Sequence, residues 1–364
     1  MNITFPATAC PRPNGGAKAL YEFAKAMRRR GHSVNIVHIG WPDPIRSLDD
    51  LPWISFEDGI EHIFPSAHPV PDIESLPPRD KVRLATDGYR FSDLASFLPE
   101  SNFISAFDEE LSLTYGLPFI FVQGYRVFLP AIEDEVFRSP CPKVCVSRWL
   151  VDVGKEKGVR DEELVYVPCG LEHAKYRVVV PLEDRPPRVS FAYRSNPTTR
   201  PDDGLAVLAE VKRRIPEVEV TIFSPADLHH DVPDWMTVLI DPPQDFIVNE
   251  IYNQSRVFLC TSRSEGFGFP CVEAMGCGAA LVTTANGASA DYAIHEETAL
   301  VCEPEDVSAL ADSIERLLRD DELRLSLAQQ GAEFVRGHFD WDRSAEMLES
   351  FLTGYAAEPE RYRH

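Results

Sequence analysis

Two glutamates, Glu265 and Glu273, have seven residues between them: Gly266, Phe267, Gly268, Phe269, Pro270, Cys271 and Val272. A carboxylate is a firm acceptor for hydroxyl groups. Glycines at 266 and 268 leave room for a ligand to approach the backbone without meeting a Cβ. Pro270 suits the first turn of a helix, where its missing N–H costs nothing. The helix start that follows attracts anions through its free N–H groups and dipole. One acid thus falls just before a helix and the other in its first turn. Taken alone the pair says little, because acids are common and a first-turn glutamate favours the helix dipole in any protein. The flanking residues carry the argument.

Those residues sit in an alternating pattern. "NITF" reads as a short first strand, followed by the loop "CPRPNGG" with Gly15 and Gly16. A helix follows with Leu20, Phe23, Ala24 and Met27 on one face; Gly31 ends it, and "SVNIVHIG" is a second strand. Residues 41–80 are proline-rich without a strong period. "SNFISAF" and "LPFIFVQGY" read as strands, "KVCVSRWLVDVGKEKG" as a strand running into a helix, and "ELVYVPCGLE" as a strand and loop. The proline-rich, charged stretch "VVVPLEDRPPRV" is the linker candidate. Beyond it strands and helices alternate again, from "RVSFAY" through "RVFLCTS" and "AALVTT" to "TALVC", ending in helices at 306–319, 322–338 and 341–355. Alternation of this kind predicts an α/β chain with two doubly wound parallel sheets facing a cleft. The expected division is residues 1–180, a linker at 181–187, residues 188–340, and a final helical segment at 341–364. No internal repeat is visible.

Bulk properties exclude several classes. A net charge of −22 over 364 residues argues against a nucleic-acid binder. Met27–His32 ("MRRRGH") is the clear basic run, and it reads first as the closing turn of a helix, where cations complement the dipole. No segment approaches eighteen apolar residues and no signal peptide opens the chain. The expectation is a cytoplasmic protein, with peripheral contact at the inner face of the membrane left open. Eight dispersed cysteines form no CxxC pair and read as buried, reduced hydrophobes. Gly15 and Gly16 are adjacent with no third glycine in place, so the dinucleotide fingerprint is missing. GxxxxGK[ST], HExxH and GxSxG are missing too.

The stretch from Ile251 to Leu318, with "SEGFGFPCVEAMGCG" at its centre, resembles glycosyltransferase family 4, the retaining enzymes built from two Rossmann-like domains and known for an E-x7-E motif. "VPCGLE" is similar to the loop before the family's linker. The likeness covers most of residues 188–345 and scattered pieces before it, and "FVQGYRVFLP" resembles a rhamnosyltransferase-like branch. The resemblance implies a GT-B fold and transfer from a nucleoside-diphosphate sugar to a glycan, glycolipid or small-molecule hydroxyl. It implies that Glu265 holds the donor sugar's hydroxyls and Glu273 the ribose hydroxyls, with Gly266, Phe267 and Gly268 forming the turn between them. Arg194 and Arg200 match the family's basic pair aimed at the diphosphate, although Pro201 replaces the usual following glycine. Gly15 and Gly16 match the glycine loop facing donor phosphate and acceptor.

Gln123 stands where many members carry histidine. Glutamine cannot take a proton, so a general base is excluded there, and the leaving diphosphate becomes the acceptor for the proton. The expectations are metal-independent transfer, no cofactor beyond the nucleotide-sugar co-substrate, and a last helix crossing back to the N-terminal domain. Asp108 and Glu109 read first as a solvated helix start, and His173 carries no catalytic role. Two other readings remain: an altered relative that binds nucleotide sugars or couples a non-sugar, and a non-enzymatic interaction protein. An oxidoreductase is remote.

Overall fold

In a computed structural model, residues 1–9, 15–40, 47–56, 58–64, 103–105, 116–125, 134, 136–229 and 231–362 are described here. They form two parallel sheets. The first holds β1 (Asn2–Ala9), β2 (Ser33–Gly40), β3 (Ile60–Ile63), β4 (Phe103–Ser105), β5 (Leu117–Val122), β6 (Lys143–Cys145) and β7 (Leu164–Tyr166), in the order β3-β2-β1-β4-β5-β6-β7. The second holds β8 (Arg188–Ala192), β9 (Glu219–Ser224), β10 (Met236–Ile240), β11 (Val257–Cys260), β12 (Ala280–Thr284) and β13 (Ala299–Cys302), in the order β10-β9-β8-β11-β12-β13. In both, the strand order reverses beside the first strand. Such a reversal opens a crevice at the carboxyl ends of the strands, because successive crossovers leave to opposite faces.

Two departures from the sequence reading have simple causes. β1 runs on through Pro6 to Ala9 rather than stopping at Phe5. Pro6 cannot donate to a ladder, but among the described residues β4 pairs with β1 only at Ile3 and Thr4, and Pro6 pairs with Val37 of β2. β3 lies in the stretch read as irregular. It is a four-residue strand at the sheet edge, too short for a period to show.

Helix α1 (Gly15–Arg29) buries Leu20, Phe23, Ala24 and Met27 against the first sheet. Helices α2 (Arg148–Glu156), α3 (Pro201–Arg214), α4 (Phe269–Gly276), α5 (Val307–Arg319), α6 (Asp321–His338) and α7 (Trp341–Ala357) follow. Asp306, Asp320 and Asp340 cap α5, α6 and α7 by accepting from the backbone N–H of Ala309, Leu323 and Arg343. α7 packs on α1, with Trp341 edge-on to Phe23 at 5.2 Å. The basic end of α1 is neutralised there: Arg29 meets Asp342 at 3.2 Å and Arg30 pairs with Glu349.

The segment between the sheets is pinned by Arg185. Its guanidinium is fully buried and donates to the carbonyls of Val180, Tyr252, Ser255 and Cys277. Burial lowers its pKa to about 10. Residues of α4 and α7 share one apolar cluster with the first sheet, whereas β8, β9 and helices α3 and α5 form a second cluster. Among the described residues, no helix is long and apolar enough to cross a membrane.

Candidate functional site

β8 and β11 are adjacent and parallel at the reversal of the second sheet. The chain beyond β8 carries Arg194, and the chain beyond β11 carries Ser262, Ser264 and Glu265. The two segments therefore meet at the carboxyl edge, where Arg194, Thr199, Thr261, Ser262, Glu265 and Pro270 line a common cleft. Ser262 donates to Glu265 Oε1 at 2.7 Å, and the Glu265 N–H donates to the Asn286 carbonyl at 3.0 Å. These bonds aim the carboxylate into the cleft. Gly268 caps α4 at φ 85°, and a Cβ there would lie 2.4 Å from the Tyr292 hydroxyl. Both a left-handed backbone and a close approach require glycine at that position.

Glu273 sits one turn into α4 and is nearly buried. Lys18 of α1 pairs with its Oε1 at 2.5 Å, and the Tyr252 hydroxyl donates to its Oε2 at 3.2 Å. Lys18 also donates to the Tyr176 hydroxyl at 3.1 Å, as does Gln244 Nε2 at 3.0 Å. Burial, with the carboxylate second, pushes both phenols well above their ordinary range, so they stay protonated donors. Arg194 lies close enough to Tyr252 to act against that shift.

The two halves touch around this cleft. A Cβ on Gly266 would fall 1.7 Å from the Gln123 carbonyl oxygen, so the turn between the two glutamates rests on the backbone of the N-terminal half. Ser264 donates to the Tyr125 carbonyl at 2.7 Å. The Arg148 N–H donates to Asp291 at 3.0 Å, and Trp149 covers Gly287. Burial raises the Asp291 pKa.

Residues 236–334 match the family described as Glycosyl transferases group 1. The chain is 31% identical over 105 residues to the capsular polysaccharide biosynthesis glycosyltransferase CapM of Staphylococcus aureus, 28% of each chain. It is 32% identical over 108 residues to the N-acetyl-alpha-D-glucosaminyl L-malate synthase of Bacillus anthracis, 30% of this chain and 28% of that one. The match thus spans well under a third of these curated relatives. Likeness of fold extends much further. A sucrose-phosphate synthase from Thermosynechococcus elongatus superposes with a TM-score of 0.71 at 19% identity, over 98% of this chain and 99% of that one. Anabaena HepE in complex with UDP-glucose gives 0.72 at 15% identity, over 97% and 100%. The chain has the GT-B fold.

Within this GT-B fold the expected site residues separate. Arg194, Glu265, Gly266 and Gly268 converge on the cleft or the turn beside it. Glu273 and Gly15 stand behind the turn, a Cβ on Gly15 meeting Phe269 in ordinary contact at 3.6 Å, and Gly16 is exposed in the first turn of α1. Gln123 enters through its backbone contact with Gly266. Phe267 is buried edge-on against Phe269 and Phe339, at 5.0 and 5.3 Å, as part of the packing beneath the turn. Arg200 adopts a left-handed backbone, φ 51°, just before Pro201. Its guanidinium is held by Asp203 at 2.8 and 3.2 Å and is not among the cleft-lining groups. His173 lies 3.9 Å from Asp340. Asp108 and Glu109 lie outside the described residues. Among those residues, no group of three or more His, Cys, Asp or Glu side chains is arranged to hold a metal.

Sequence reasoning missed Lys18, Tyr176 and Tyr252. Lys18 left one signal. It is a cation in the first turn of α1, where no acid accompanies it, and a helix start disfavours positive charge. The tyrosines left none, because apolar patterning explains them equally well.

Proposed function

We propose that the protein is a retaining glycosyltransferase of the family 4 type, moving a hexosyl or deoxyhexosyl group from a nucleoside-diphosphate sugar to a hydroxyl. The acceptor class is a glycan, glycolipid or small molecule. The observation that carries this reading is the meeting of Arg194 and the Ser262-held Glu265 at the strand reversal, with Glu273 one helical turn behind. A nucleotide sugar is a polyol joined to a diphosphate. Carboxylates suit its hydroxyls, and a helix start and an arginine suit its phosphates. HepE, which has been solved with UDP-glucose, shares the fold and lends support on the donor class.

In this reading the bond from the sugar's anomeric carbon to the diphosphate breaks and a bond to the acceptor oxygen forms on the same face. The acceptor's proton goes to the leaving diphosphate, and Arg194 stabilises the charge that develops there. The sugar hydroxyls rest on Glu265 and the ribose hydroxyls on Glu273. Residues 1–180 bind the acceptor and residues 188–340 the donor. The positive charge needed comes from protein side chains, so transfer proceeds in EDTA. The rhamnosyltransferase-like branch remains the proposal for the sugar, on the "FVQGYRVFLP" stretch alone.

A second reading, a relative that binds donors without transferring them, gains from one observation: Asp203 already holds the Arg200 guanidinium. A thermal-shift screen of nucleoside diphosphates and their sugars in EDTA, followed by transfer assays, tests both. One nucleotide should raise the melting temperature by mass action, and Glu273→Ala should weaken the shift. Binding without transfer to any acceptor would favour the second reading. No shift at millimolar ligand would overturn both.

A further inference from the structure

Lys18 and Glu273 are 255 residues apart in sequence and belong to opposite halves of the molecule, yet their side chains form one ion pair. The lysine side chain is 23% exposed and the carboxylate 6%. Lys18 also lies over the Phe269 ring at 4.8 Å. A carboxylate this buried needs a cation and hydrogen bonds to offset its lost hydration. Among the described residues, Lys18 is the cation paired with it, and Tyr252 is the donor on its other oxygen. The C-terminal half therefore does not complete this carboxylate's surroundings by itself.

Lone-pair geometry shows what this leaves for a ligand. An ionised carboxylate has about four acceptor directions. Lys18 and Tyr252 take one on each oxygen, and the Tyr176 hydroxyl stands close enough to engage a third, which leaves one acceptor direction for a ribose hydroxyl. Lys18 need not leave when such a hydroxyl arrives. It fixes the plane in which the remaining lone pair points.

We propose that Lys18 is a positioning residue for the donor: reaching from α1, it orients the Glu273 carboxylate for a hydroxyl of the ribose diol and so ties nucleotide binding to the apposition of the two halves. The inference rests on the donor role of Glu273 proposed above. It differs from a direct contact between Lys18 and phosphate, because its effect must vanish when either the carboxylate or the diol is removed.

Calorimetric titration of the full chain with uridine, guanosine and adenosine diphosphates, and with the 2′,3′-dideoxy form of whichever binds best, tests it; tighter binding of thymidine diphosphate, which has no 2′-hydroxyl, would overturn the diol reading. Lys18→Met should weaken the preferred ribonucleotide about tenfold and leave the dideoxy form within about twofold. Glu273→Gln should cost as much, and the double variant no more than either alone. Lys18→Arg should restore most of the affinity. It also serves as the folded comparison if Lys18→Met melts early. Equal loss for ribo and dideoxy forms, additive losses in the double variant, or no loss at all would overturn the inference. If the wild type binds none of the three diphosphates, the donor reading falls and this inference with it. Wild-type binding that Lys18→Met leaves unchanged removes this inference alone.

Discussion

The two sheets share one strand order around their first strands, but what stands at their carboxyl edges differs. In the C-terminal half, β8 and β11 deliver an exposed arginine, a serine and a carboxylate to one cleft. In the N-terminal half, the late part of β2 carries His38 into an aromatic cluster. His38 stacks on Phe64 at 4.6 Å, bonds His62 at 2.9 Å and meets the Tyr21 hydroxyl at 3.2 Å. Burial and His62 lower its pKa to about 3. Strand order supplies a crevice in both halves. The charged cleft stands at the β8–β11 reversal, whereas the aromatic corner stands at the β2–β3 edge of its sheet, away from the β1–β4 reversal. The halves also meet unequally: the C-terminal half contributes the glycine turn, and the N-terminal half contributes backbone and Lys18 to hold it.

That contrast breaks most severely at the shared contact. Gly266→Ala puts a methyl group 1.7 Å from the Gln123 carbonyl, and backbone stands on both sides. The halves must part, and transfer should fall at least about 10²-fold, since misplacement by an ångström costs that much. Gly337→Ala, where nothing lies within 4 Å, should leave activity intact. Steady-state assays on the pair decide the point, and equal activities would show that the contact is dispensable.

A smaller but sharper difference is expected inside the C-terminal half. Arg194→Gln should lower kcat by about 10²-fold, the scale of losing one preorganised charge at a transition state. Arg200→Gln should cost less than about tenfold, because Asp203 already engages that guanidinium. Comparable losses would mean that Arg200 leaves Asp203 when the donor binds, restoring the paired role that the resemblance implies.

The smallest effect concerns the aromatic corner. His38 stays neutral when folded but takes up a proton in the unfolded chain below about pH 6.5. Its contribution is therefore present above pH 6.5 and drains as pH falls toward 3, at no more than ~1.4 kcal/mol per pH unit. Hydrogen exchange at pH 7 and pH 5 should show β2 losing protection relative to β9, and His38→Asn should flatten the difference. Equal loosening of both strands would dissociate the cluster from the acid response.

Much of this architecture was legible because its signals are local. The strand–helix alternation and the turn between Glu265 and Glu273 lie within short windows where period and turn chemistry operate. Less was legible where a rule depends on neighbours. The first strand reads as ending before Pro6, yet β1 runs on through it, and among the described residues Pro6 pairs with β2 and not with β4. Phe267 reads from its spacing as part of the turn between the glutamates, and its packing against Phe339 could not be read there. Arg200 has the expected spacing from Arg194, and its left-handed backbone and contact with Asp203 are features that spacing does not announce.

By itself the sequence determined the α/β class and the carboxylate pair with its glycine turn, because backbone sterics and short-range spacing act within a few residues. Only the tertiary structure decided which charges meet. Lys18 reaches Glu273 across 255 residues, and Gln123 supports Gly266 across the cleft. Such pairings depend on where two separately wound sheets come to rest, and no local spacing records that.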